Sequence, residues 1–164
     1  MSAGLSAVFQ QCAHLTSLEL LHCLGPVSDA CTELQARHPA FRLRHLVLAW
    51  CGGCLSDVGI SHLLSPDVSS LRSLVLEGIS RMTDIGLREI AAHRDWLECL
   101  ELASCGSWER LNKGGACATG TRLPEPISAA ALGGLVRQCR RLVALTVRRT
   151  VAGEQGGHMP LPDR

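Results

Sequence analysis

The nine cysteines and seven histidines of this 164-residue chain are its most chemically versatile side chains. Cys51-Gly-Gly-Cys54 has the two-residue gap of a zinc knuckle, in which thiolates from one tight turn share a tetrahedral ion. That ion needs two more ligands, and no second Cys-x-x-Cys or His pair follows at a suitable distance. Nucleophilic catalysis would need a thiol, a base within hydrogen-bond reach and a third group to orient the base. His45 and Cys99 are the only Cys and His expected on one outward face. They fall two strands apart, at roughly 4.8 Å per strand, which is too far for direct contact. No Gly-rich phosphate loop, His-Glu-x-x-His or Gly-x-Ser-x-Gly occurs. The sequence therefore predicts a non-enzymatic protein with no catalytic residue, no metal and no cofactor.

The elements that position these residues repeat along the chain. Leu71 to His93 holds one complete unit. Its first half alternates apolar and polar, the pattern of a half-buried strand. Its second half opens with Thr83-Asp84 and then spaces Ile85, Leu87, Ile90 and Ala91 at near-helical intervals. Thr83 suits an N-cap, because its hydroxyl can accept a first-turn amide, and Asp84 would face the positive end of the helix dipole. The strand recurs as Leu15-Leu18-Leu20, Leu43-Leu46-Leu48, Leu71-Leu74-Leu76, Leu97-Leu100-Leu102 and Leu142-Leu145-Val147, with starts 28, 28, 26 and 45 residues apart. The helix start recurs as Ser28-Asp29, Ser56-Asp57, Thr83-Asp84 and Ser128-Ala129. Leucine, with few aromatics, must supply the core. This is the period of a leucine-rich repeat, and it predicts an α/β solenoid with parallel strands lining one face of a horseshoe arc and short helices on the other. A globular α/β domain with a parallel sheet is the runner-up, and would space its strands less regularly.

The register also accounts for most cysteines. Cys23, Cys51 and Cys105 share one slot just beyond the strand, filled by Ile79 and Thr150 in the other copies. Cys12 and Cys139 share another, three residues before the first leucine. Small buried thiols at equivalent turns are a normal use of free Cys.

The cysteine slot followed by Ser/Thr-Asp-x-Gly-Leu/Ile resembles the cysteine-containing repeats of the F-box/leucine-rich-repeat proteins. Cys51 with Ser56-Asp57-Val58-Gly59-Ile60, and Thr83-Asp84-Ile85-Gly86-Leu87, carry the likeness best. It runs from about Leu5 to about Thr150. The resemblance implies the substrate-recognition part of a cullin-type (SCF) ubiquitin-ligase subunit, acting in ubiquitin-dependent degradation. No F-box-like segment precedes the repeats in this sequence, so the SCF adaptor and cullin are expected as partners only if an F-box is supplied elsewhere. A stand-alone adaptor or inhibitor, or a truncated isoform without ligase function, is the alternative.

Residues 1–14 read as the helix of an incomplete repeat, 15–150 as four to five repeats and 151–164 as a flexible tail. The fourth repeat is interrupted: its helix start comes 19 residues late compared with the third. The extra stretch, about 107–126, is rich in Gly and Pro, and insertions in repeat arrays map to loops on one face, often the binding face. In hormone-sensing members of the family, loops at this junction arch over the horseshoe, which suggests a similar position here. A surface insertion without a partner is the other reading.

With 16 basic against 15 acidic residues, the net charge is +1, which argues against nucleic acid or an acidic membrane as partner. No apolar run reaches the roughly 18 residues of a membrane span, and the start of the chain does not resemble a secretory signal. The cytosol or nucleus is the expected compartment. The expected partner is a protein, held by outward residues between the leucines: Glu19, Leu21, His45, Val47, Val75, Glu77, Glu101, Thr146 and Arg148. Acidic residues around an apolar strip of Val47 and Val75 suit a segment with a basic residue, although short side chains there could simply face solvent. Trp50, Trp108, Arg110, Lys113 and Arg122 are the candidate rim and loop contacts. Trp50 is equally open to packing against Cys23 or Ile79, and Trp96 is expected in the core.

Overall fold

A computed structural model describes residues 11–12, 14–23, 43–51, 55–64, 70–92, 96–106 and 127–148. The expected helices before residue 11 and after Ser28, the stretch 107–126 and the tail 151–164 lie outside the described residues.

The leucine triplets become five short strands: β1 (Ser17–Leu21), β2 (His45–Ala49), β3 (Ser73–Glu77), β4 (Cys99–Ala103) and β5 (Ala144–Arg148). They form one parallel sheet in sequence order, β1-β2-β3-β4-β5. Leu18, Leu46, Leu74, Leu100 and Leu145 stand in one row, and Leu20, Leu48, Leu76, Leu102 and Val147 in another. Because side chains alternate across a strand, both rows point to one side. There they join a continuous core with Ile60, Leu87 and Leu132 from the helices. Full burial of a leucine stabilises by about 2 kcal/mol, so a slip of one residue, which would turn these rows to solvent, is strongly disfavoured.

The helices are α1 (Asp57–Leu63), α2 (Asp84–Ala92) and α3 (Ala129–Gln138). They pack side by side, α1 on α2 and α2 on α3. The molecule is thus a small α/β domain with one sheet of parallel strands and short helices. The expected N-caps form: Ser56 Oγ accepts from Val58 N, Thr83 Oγ1 from Ile85 N, and Ser128 Oγ from Ala131 N. In α2 the buried face is Gly86, Leu87, Ile90 and Ala91. Ile85, expected on that face, is 52% exposed. At about 100° per residue, it points away from the side that Leu87 and Ile90 define.

The starts of α2 and α3 are each tied to the start of the helix before. Asp57 accepts from Thr83 N at 2.8 Å, Thr83 Oγ1 at 2.6 Å and Gly86 N at 2.9 Å. Asp84 repeats the contact with Ser128, accepting from its N at 2.8 Å and its Oγ at 2.7 Å. A carboxylate there meets amides that have no partner within their own helix. A Cβ on Gly86 would stand 2.6 Å from Asp57 Oδ1. The glycine of the Thr-Asp-x-Gly motif therefore makes room for the preceding helix's carboxylate.

Turns repeat as well. His22, Trp50, Gly78 and Ser104 directly follow β1 to β4 and all have positive φ, between 52° and 69°. This bend aims their N–H groups at the next strand's last carbonyl, those of Ala49, Glu77, Ala103 and Arg148. One residue row further on sit the cysteine slots. Cys51 Sγ donates to Leu20 O at 3.1 Å and Cys105 Sγ to Leu76 O at 3.2 Å.

Cys51, Cys105 and Cys139 are buried, as the repeat register requires, but Cys23 is half-buried and Cys12 exposed. Both adjoin β1, the edge of the described sheet, where no described element covers them. Trp96, expected in the core, is half-buried, and its carbonyl accepts from Arg72 Nη1 at 3.4 Å.

Candidate functional site

Opposite the leucine rows, the sheet presents three outward rows. The first is Ser17, His45, Ser73, Cys99 and Ala144; the second is Glu19, Val47, Val75, Glu101 and Thr146; the third is Leu21, Ala49, Glu77, Ala103 and Arg148. All nine outward residues expected to contact a partner therefore lie on one face. Glu19, His45 and Arg148 are exposed, Val47, Val75, Glu77, Glu101 and Thr146 are half-buried, and Leu21 is 54% exposed. No described helix covers them, because the helices share the core of the opposite face.

The middle row carries the clearest pattern. Across four consecutive strands it reads Glu19, Val47, Val75, Glu101, with two adjacent valines between two carboxylates. Glu101 is ion-paired with Arg148 of β5. Glu19 and Glu77 make no ion pair with any described residue. The remaining described ion pairs lie off this face, at the strand starts, where Glu98 meets Arg72 at 3.5 Å and Arg141 at 4.0 Å.

His45 and Cys99 do share the first outward row, but Ser73 of β3 stands between them. The separation anticipated from the sequence holds, and no direct hydrogen bond joins thiol to imidazole. Two of the three buried cysteines, Cys51 and Cys105, are poor nucleophiles. Burial pushes the Cys105 thiol up to about 12 and raises that of Cys51 as well, so both stay protonated near neutral pH. Among the described residues no group of three or more His, Cys, Asp or Glu could hold a metal ion. Cys54, the other half of the zinc-knuckle spacing, lies outside them.

Trp50 packs on the turn of the neighbouring strand, beside Ile79 in sequence. It stands at the first turn residue after β2, half-buried, and its indole covers Gly78 at the equivalent turn of the next strand. It is a rim residue with a structural job. Trp108, Arg110, Lys113 and Arg122 lie outside the described residues.

The Asp57 and Asp84 contacts escaped sequence reasoning. Their signal was present, since both acids precede x-Gly in the same register, but an N-terminal Asp reads first as a partner of its own helix. A shallow groove of about 400 Å³ separates α2 from α3, lined by Leu87, Ala91, Ala131 and Leu135, with Asp84 and Arg88 at one end. It lies on the helical side, away from the outward rows. No described helix is long and apolar enough to cross a membrane.

No protein-family model matches the chain.

Proposed function

We propose that the chain is a leucine-rich-repeat solenoid that holds another protein on the outward face of its sheet. The observation that carries this reading is the unbroken register of five parallel strands. It gathers outward side chains from residues as far apart as Ser17 and Arg148 into one continuous surface, apolar in the middle and acidic at its sides. Val47 and Val75, half-buried on adjacent strands, leave apolar surface open to solvent, which suits an interaction surface. The reading is non-enzymatic and needs no cofactor.

The resemblance of the Cys and Ser/Thr-Asp-x-Gly slots to F-box/leucine-rich-repeat proteins extends the proposal. The held protein is then a substrate for ubiquitin-dependent degradation in the cytosol or nucleus, and the SCF adaptor and cullin join through an F-box supplied elsewhere. The repeated contacts of Asp57 with Thr83 and Gly86, and of Asp84 with Ser128, support the motif's role in stacking successive units.

A photo-crosslinking amino acid tests the face directly. At position 75 it should capture a protein partner from cells, whereas at Ile85, on the helical side, it should not. Equal capture at both positions, or none at 75, counts against the face. Co-purification of the adaptor and cullin with the same chain separates the ligase role from that of a stand-alone adaptor.

A further inference from the structure

The spacing of charge across the middle outward row selects a class of ligand. Glu19 on β1 and Glu101 on β4 are three inter-strand steps apart, about 14 Å at the usual strand separation. In an extended peptide, residues i and i+4 share a face and lie about 13 Å apart. Residue i+2, about 6.6 Å along, then falls between Val47 and Val75. We propose, on the strength of the protein-binding reading above, that this face takes an extended segment of the form basic-x-apolar-x-basic, laid across the strands. Its two cations meet Glu19 and Glu101, and its central apolar side chain rests on Val47 and Val75.

Three further features fit this occupant. Glu77 projects from β3 on the same face, two residues beyond Val75, and adds negative potential near the Glu101 end. Of the outward residues, only Arg148 carries a fixed positive charge, and it pairs with Glu101. Arg148 is exposed, so an incoming cation can displace it at little cost. Arg148 is thus an internal competitor that occupies the second acidic position when no ligand is bound.

The test uses the full chain and fluorescein-labelled peptides that share Gly-Ser flanks. The central probe contains Arg-Thr-Val-Thr-Arg. One control replaces both arginines with glutamate; another brings them two residues apart. Fluorescence anisotropy should show binding of the first peptide alone, weakened as salt rises. Glu19→Gln and Glu101→Gln should each weaken binding by about threefold, the range of a single exposed ion pair. Arg148→Ala should strengthen it by a similar factor, a change that general damage to the fold would not produce. Unchanged thermal melting of the three variants shows that the sheet is intact. Equal binding of the close-spaced peptide, or an Arg148→Ala variant that binds less well, overturns the inference. So does capture at position 75 by a protein partner with no preference among the peptides, although that result leaves the broader protein-binding reading standing.

Discussion

Asp84 reaches across to Ser128, accepting its backbone N–H at 2.8 Å and its hydroxyl at 2.7 Å, although 44 residues separate the two in sequence. The equivalent contact from Asp57 to Thr83 spans 26 residues. The helix stack is therefore in step at both junctions, despite the longer sequence between α2 and α3. The carboxylates act as spacers between neighbouring helix starts, and their hydrogen bonds are of the charge-assisted kind.

Removing them should loosen the stack. Asp57→Ala leaves Thr83 N and Gly86 N without their partner and should cost about 2 kcal/mol of stability. Asp84→Ala, which loses two hydrogen bonds against three, should cost less. Urea denaturation followed by circular dichroism measures both. A larger loss for Asp84→Ala would mean that the contact across the longer connection is the more important of the two.

The indole of Trp50 fills the place where a side chain on Gly78 would go. A Cβ there would stand 2.5 Å from Trp50 Cε3, and the glycine has φ +69°. Gly78→Ala should cost about 2 kcal/mol, combining left-handed strain with displacement of the ring. In a Trp50→Ala background the same change should cost only about 1 kcal/mol. A double-mutant cycle by thermal melting reads the coupling. Additive effects would place the whole cost in the backbone.

How much of this was legible in advance follows the range of each interaction. The strand positions, their register and the caps at Ser56, Thr83 and Ser128 rest on local periodicity, which a sequence displays. The outward row of Glu19, Val47, Val75 and Glu101 follows directly from that alternation. The lid of Trp50 over Gly78 and the contact from Asp57 to Thr83 depend on how one unit seats against the next. Only assembled neighbours reveal them. Ile85 departs from expectation because the apolar residues of a nine-residue helix do not by themselves fix which edge of the stripe is buried. The exposure of Cys12 and partial exposure of Cys23 reflect their place beside the edge strand, which a repeat pattern treats as equivalent to the middle.

Buried thiols give a pH signature. The folded-state value of Cys105 is raised to about 12 from an ordinary value of 9.0, so the unfolded chain loses this proton first as pH rises. Between those values the folded state binds more protons, and stability must fall as pH increases. Below pH 9 the contribution is fully present; it is lost progressively up to about 12. Urea titrations across that interval should show this decline, and Cys105→Ala should flatten it. In the same protein at pH 8, Ellman's reagent should modify the exposed Cys12 and Cys99 quickly. Cys51 and Cys105 should react only on unfolding, when their thiols meet solvent.

Gly106 and Ile127 lie side by side, although 20 residues separate them in sequence. A Cβ on Gly106 would lie 3.4 Å from Ile127 N and 3.6 Å from Ile127 Cγ1. Gly106 N is held by Ile79 O at 2.9 Å, and Ser128 by Asp84. Both ends are thus anchored to the unit before them, and a link of a few residues can close the gap. Loop length itself has little thermodynamic weight, because each doubling costs only about 0.6 kcal/mol. Replacing residues 107–126 with a short Gly-Ser link should therefore leave a cooperative melt with a midpoint close to that of the intact chain. If the stretch also contacts the partner, as its place at a strand-to-helix junction suggests, crosslinking at position 75 should weaken while folding is retained. Loss of the cooperative transition would mean that the stretch contributes core contacts, and that the anchors at Gly106 and Ile127 do not hold α3 in place on their own.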